Sequence, residues 1–239
     1  MGVQRGPKLV LNGLRGLWDA GSDQSYPGSG TTWKNIAKTG TIDATFDGAT
    51  YSAFNGGSVL FDSDKVTVAD TTTIDGQYGF SFEMWVYFLG EGDGSSNYNF
   101  FSVYNGDGSG YEFGFYLNWN SSVTIGRRGA GTGNTRTTTE SDWLPANSLN
   151  KWSYYCATYN GSGTTTATNY ALYRNGREAS YVAGLSFGGS NNTNTWGSEP
   201  GGGAGLLDGY LSRVAFYNRP LTASEIKENY VAQRGRFTI

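Results

Sequence analysis

The stretch Asp208-Gly209-Tyr210-Leu211-Ser212-Arg213-Val214-Ala215-Phe216-Tyr217-Asn218-Arg219-Pro220-Leu221-Thr222-Ala223-Ser224-Glu225-Ile226 reads as a strand, a turn and a short helix. Leu211, Val214 and Phe216 interleave with Ser212, Arg213, Ala215 and Tyr217, the alternation of a strand with one face in a core. The period slips once, between Leu211 and Val214, which a bulge would absorb. Pro220 has no amide to donate, so the ladder stops there. Thr222 and Glu225 then stand at the spacing of a capping box, and Ile226 and Tyr230 lie four apart on one helical face.

Working back along the chain, residues 80–88 give the most regular strand: Phe80, Phe82, Met84, Val86 and Phe88 share one face. Ser81, Glu83, Trp85 and Tyr87 share the other. Met84 and Phe82 are expected in the deepest core, with Trp85 packing on the opposite side of the strand. Further strands are expected at residues 13–20, 56–62, 65–68, 99–104, 111–119, 122–126, 152–159, 169–174 and 182–187. Gly, Asn, Asp and Ser clusters separate them, as turns require. Asn175-Gly176 after Leu172-Tyr173-Arg174 signals a type I′ hairpin.

Composition agrees with many short strands joined by turns. Of 239 residues, 37 are glycine and only 5 proline, and 15% are aromatic. A chain so rich in aromatics buries a core and is not a disordered linker. The formal charge is −3 without a basic tract, which disfavours nucleic-acid binding. The amino terminus lacks the pattern of a signal peptide, and no run approaches the roughly 20 apolar residues of a membrane helix. The single cysteine, Cys156, allows no disulfide within the chain and suits a small buried thiol. With no histidine, imidazole triads and imidazole zinc sites are excluded.

These elements together imply an all-β, two-sheet antiparallel jelly-roll sandwich with a short C-terminal helix. An N-terminal arm at residues 1–12 would precede the jelly-roll domain at residues 13–239. The layout resembles the concanavalin A-like lectin/glucanase superfamily, and within it the laminin-G-like or pentraxin-like jelly rolls. The residues that carry this are 80–85, 152–159 with Leu172-Tyr173-Arg174-Asn175-Gly176, and 209–226. Ser212 stands where the closing strand of that family often carries an acidic residue.

A narrower resemblance, to laminin-G-like domains of tailed-bacteriophage virion proteins, rests on four segments: Leu17-Trp18-Asp19-Ala20-Gly21, Ser25-Tyr26-Pro27-Gly28-Ser29-Gly30-Thr31-Thr32-Trp33, Gly57-Ser58-Val59-Leu60-Phe61-Asp62 and Asn218-Arg219-Pro220-Leu221-Thr222. It implies a non-enzymatic virion structural protein: a surface decoration, a fibre or a tail component, assembled in the host cytoplasm. Its partners would be other virion proteins of the capsid or tail, with the chain itself as a homo-oligomer. The alternative is a carbohydrate-binding, lectin-like module that attaches to a host-surface glycan.

No catalytic constellation, cofactor motif or metal-ligand pattern stands out. Asp62, Asp64, Asp93, Asp107, Glu112 and Asp208 are the acids that a calcium ion or a hydrolase would use, but the loop at residues 105–110 has Tyr116 where an EF-hand needs glutamate. Turn formation is their simpler role. The alternating acids of glucanases are absent, since Glu83 and Glu112 are each alone in their strands. For a sugar ligand, Trp119, Trp143 and Trp196 are the candidates, each at a strand edge or in a loop, where it either stacks on a ring or anchors its loop to the core.

Overall fold

A computed structural model describes residues 8–38, 42–68, 79–91, 97–104, 112–127, 135–161, 167–181, 194–198 and 206–237. The strands in order are β1 (Leu14–Asp19), β2 (Thr32–Trp33), β3 (Ala44–Asp47), β4 (Thr50–Ser52), β5 (Ser58–Val68), β6 (Phe80–Gly90), β7 (Asn97–Tyr104), β8 (Glu112–Asn118), β9 (Val123–Arg127), β10 (Thr135–Thr138), β11 (Trp152–Tyr159), β12 (Tyr170–Arg174), β13 (Arg177–Glu178), β14 (Asn194–Trp196) and β15 (Leu207–Tyr217). The helix α1 (Ala223–Gln233) closes the order, followed by a 3₁₀ turn at Arg234–Arg236.

Among the described residues the strands form two antiparallel sheets. The larger follows β13-β12-β11-β6-β15-β5-β3-β2, with β1 added on β15 and both β4 and β14 on β5. The smaller follows β10-β9-β8-β7. This is the expected all-β, two-sheet sandwich with a C-terminal helix.

The central strands sit where their alternation places them. Phe80, Phe82, Met84, Val86 and Phe88 enter the main core, while Trp85 belongs to a second cluster on the opposite face of the sheet, beneath α1. The slip in β15 is a register shift between Leu211 and Arg213 against β6. The capping box forms, with the Thr222 side chain accepting from the Glu225 N–H and the Glu225 carboxylate accepting from the Thr222 N–H. Asn175 and Gly176 both have positive φ, 50° and 76°, the backbone that a type I′ hairpin demands.

Two differences from the sequence expectation have local causes. The strands expected at 56–62 and 65–68 merge into one, β5, which starts only at Ser58: Ser63 takes a left-handed φ of 65° and Asp64 still pairs with Leu207. The short strands β2, β3, β4, β10 and β14 have two to four residues each, too few to show a period. The strand expected at 182–187 lies outside the described residues.

Part of the expected N-terminal arm, residues 8–12, lies along α1. The Val10 N–H donates to Asn229 Oδ1 at 2.8 Å, and Tyr217 Oη donates to the Val10 carbonyl at 3.0 Å. Met84 is 1% exposed within the main core, so Met84→Ala should cost about 3 kcal/mol, read from the midpoint of urea unfolding.

Candidate functional site

The outer face of the larger sheet is divided in two. One half lies under α1 and holds Trp85, Tyr154, Cys156, Ala215 and Tyr217. The other half carries Tyr87 and Tyr210, which are only half-buried among the described residues.

Pairing sets the order of residues on this open half. Leu60 on β5 is opposite Tyr210 on β15, Tyr210 is opposite Tyr87 on β6, and Tyr87 is opposite Trp152 on β11. These four therefore form a row across four strands. Leu60, Tyr87 and Tyr210 are half-buried and Trp152 is buried at the helix side. Leu89, two positions beyond Tyr87, is 40% exposed.

Phe54 comes from elsewhere, a 3₁₀ turn at Phe54–Gly56, and lies across the row. Its ring centroid is 4.7 Å from Tyr210, 5.1 Å from Tyr87 and 5.9 Å from Trp152. It is nevertheless 39% exposed, so one side of the cluster faces water. An exposed ring set among half-buried aromatics is a surface that a ligand or partner can cover.

Phe54, Asn55, Tyr87, Asn150, Lys151, Trp152 and Phe237 line an open cleft of about 260 Å³. The C-terminal turn holds its wall in place: Asn55 Nδ2 donates to the Arg236 carbonyl at 3.1 Å, and Arg236 Nη2 donates to the Gly57 carbonyl and to Ser212 Oγ, both at 2.7 Å. Ser212 Oγ in turn donates to the Gly57 carbonyl at 2.7 Å. Arg236 is itself anchored on Asp19 at 2.6 Å. Ser212 is thus part of a structural clasp.

This site combines flat apolar rings with two amide side chains and an ammonium group at its edge, the composition of a small polar-plus-apolar binding site. A second cleft of about 410 Å³ is lined by Tyr26, Phe46 and Tyr51 with Gly28, Gly30 and Gly48. Its lining offers the hydroxyls of Thr31 and Thr50 beside the tyrosines but no amide or charged side chain, and Tyr26 Oη is already bonded to the Gly30 carbonyl.

The tryptophans singled out in the sequence lie elsewhere. Trp143 is 0% exposed, with Arg177 over its ring and the Tyr155 hydroxyl on its carbonyl. Trp196 is 1% exposed and meets Trp18 and Trp33 edge-to-face at 5.0 and 5.9 Å. Neither offers a free ring face, which corrects their reading as stacking residues: both anchor the core. Trp119 is half-buried and packs against the main core. Phe54 was missed because nothing in its local sequence sets its partners; for Tyr87 the alternation opposite Met84 was the available signal.

Of the candidate acids, Asp62 and Asp208 are directly opposite each other on β5 and β15. Burial, and then the charge of Asp62, raises the Asp208 carboxyl above its ordinary value. Among the described residues no group of three or more acidic or cysteine side chains is arranged to hold a metal. Asp93 and Asp107 lie outside the described residues, and Glu112 is placed by its backbone alone. No described helix is long and apolar enough to cross a membrane.

A family model described as "Concanavalin A-like lectin/glucanases superfamily" matches residues 56–227. Among solved structures, the chain is similar to Trypanosoma rangeli sialidase in complex with sialic acid (TM-score 0.62, 16% identity), covering 95% of this chain and 34% of the sialidase. It is also similar to the binding domain of botulinum neurotoxin serotype D (0.65, 12%), covering 94% of this chain and 53% of that one. A third likeness is to domain 4 of an extracellular arabinanase from Geobacillus stearothermophilus in complex with arabinotriose (0.60, 13%), covering 92% of this chain and 98% of that domain. This chain thus spans about a third of the sialidase and about half of the neurotoxin chain. At these identities the likeness is one of fold. No curated protein matches the sequence.

Proposed function

We propose that this chain, which belongs to the concanavalin A-like lectin/glucanases superfamily, is a carbohydrate-binding module whose ligand lies on the open half of the outer sheet face. The observation that carries this is the row Leu60, Tyr210, Tyr87 and Trp152 capped by a partly exposed Phe54 and edged by Asn55, Asn150 and Lys151. A sugar's apolar ring face covers the aromatic carbon while its hydroxyls bond to the amides. The arabinanase domain supports this reading, because it has nearly the length of this chain and its structure includes a neutral oligosaccharide.

The module is proposed to bind and not to cleave. Glycoside hydrolysis sets two carboxyl groups on either side of the scissile bond. The residues lining the aromatic cleft, Phe54, Asn55, Tyr87, Asn150, Lys151, Trp152 and Phe237, include no carboxylate.

Phe54→Ala and Tyr87→Ala should each weaken binding to an oligosaccharide panel at least tenfold, about 1.4 kcal/mol, by titration calorimetry. Trp143→Phe should leave it unchanged. Unaltered affinity in both of the first two variants contradicts this site.

A finer proposal places the module on a phage particle, as a decoration, fibre or tail component beside other virion proteins. Its support is the resemblance of residues 17–21, 25–33, 57–62 and 218–222 to phage laminin-G-like domains. Mass spectrometry of purified particles tests it: the chain should be found among the particle proteins, and its absence would remove that placement without touching the sugar site.

A further inference from the structure

We infer that the open face selects uncharged oligosaccharides over glycans that carry carboxylate, sulfate or phosphate groups. This rests on the carbohydrate-binding reading and adds the chemical class of the ligand.

Strand alternation puts Asp62 two residues past Leu60 and Asp208 two residues before Tyr210, so the row next to the aromatic row carries a carboxylate pair. On its other side Asp208 faces Gly90. A Cβ built at Gly90 would lie 2.6 Å from Asp208 Oδ2, so the missing side chain leaves room for the carboxylate to extend over β6, beside the row of Tyr87. Asp64 is turned away: its carboxylate accepts the Asp62 N–H and lies against Gly48.

No hydrogen bond or ion pair with a described side chain engages the carboxylates of Asp62 and Asp208. Ionised carboxylates only accept, and sugar hydroxyls are donors that can meet them. An anionic substituent in the same place meets two like charges, with exposed Glu91 following Gly90. Lys151, the cation lining the cleft, precedes Trp152 at the β11 end of the site, two strands across from Asp208 on β15. The acids therefore flank the β15 and β5 end of the row and Lys151 its β11 end, and a chain lying along the row passes beside the acids.

The test is a calorimetric titration at low salt of maltotriose, cellotriose, lactose and arabinotriose against 3′-sialyllactose and tri-galacturonate. The neutral panel should contain a binder, with each acidic sugar at least tenfold weaker than the best neutral one. Asp62→Asn with Asp208→Asn, nearly isosteric, should shrink that ratio below threefold, with the thermal midpoint confirming the fold. Acidic sugars binding as well as neutral ones, or a ratio unchanged in the double variant, overturns the selectivity while leaving the sugar site standing. If no sugar of either class binds, the carbohydrate reading falls and this inference falls with it.

Discussion

Trp85→Ala should destabilise the protein by about 4 kcal/mol and release the C-terminal helix from the sheet. Trp85 is fully buried on the face opposite Met84, stacked on Phe237 at 4.0 Å with an interplanar angle of 11° and on Tyr230 at 5.9 Å. Its indole Nε1 donates to Gln233 Oε1 at 2.8 Å. Removing the ring leaves a hole between sheet and helix and an orphaned amide oxygen, two costs that add. Trp85→Phe keeps most of the apolar area and should lose only about 1–2 kcal/mol. Urea unfolding gives both values, and near-UV circular dichroism reports the loosened ring stack. Because Phe237 also lines the proposed sugar cleft, Trp85→Ala should weaken binding too, although Trp85 does not line that cleft.

The second large effect is expected at Glu83, buried beneath the same helix. Its Oε2 accepts from Tyr154 Oη at 2.6 Å and from Asn229 Nδ2 at 2.9 Å, and its Oε1 accepts from Gln233 Nε2 at 3.4 Å. Asn229 also reaches the Tyr217 hydroxyl and, through its Oδ1, the Val10 N–H, so one carboxyl ties strands, helix and N-terminal segment together. Glu83→Ala takes the acceptor from the Tyr154 hydroxyl and the Gln233 amide and one of two from Asn229 Nδ2, and should cost about 3–5 kcal/mol.

Burial raises the Glu83 carboxyl above its ordinary value of 4.5, against the opposing pull of Tyr154, Arg213, Asn229 and Gln233. Below 4.5 the folded and unfolded chains both hold the proton, and the stabilisation is complete. As pH climbs through the raised folded value, the unfolded chain has already released its proton and stability is lost. Wild-type stability should therefore decline over that window, while Glu83→Gln, which cannot titrate, should lack that component. Unfolding free energies measured from pH 4 upward in both proteins check this; parallel curves would show that Glu83 is not the source.

Much of this architecture was legible in the chain because it depends on neighbours in sequence. The capping box of Thr222 and Glu225, the hairpin at Asn175-Gly176 and the opposed faces of Met84 and Trp85 each follow from a few adjacent residues. The site was not legible in this way. Trp143 and Trp196 have polar neighbours in sequence, yet tertiary packing closes over both. Conversely, Tyr87 and Tyr210 are ordinary strand residues, and their half-buried state is set by what the fold packs around them. Phe54 joins them from a turn that the side chain of Arg236, 180 residues away, helps to hold. The acids Asp62 and Asp208 were picked out by residue type, but their pairing is a matter of sheet register.

The central claim, that a sugar lies across the outer aromatic row, is tested most directly by an NMR titration of the aromatic side chains with a bound neutral oligosaccharide. The ring signals of Phe54, Tyr87 and Tyr210 should shift together and saturably, with those of the core residues Trp143 and Trp196 unmoved. Saturable shifts confined to the rings of Tyr26 and Tyr51, with Phe54, Tyr87 and Tyr210 silent, would contradict it.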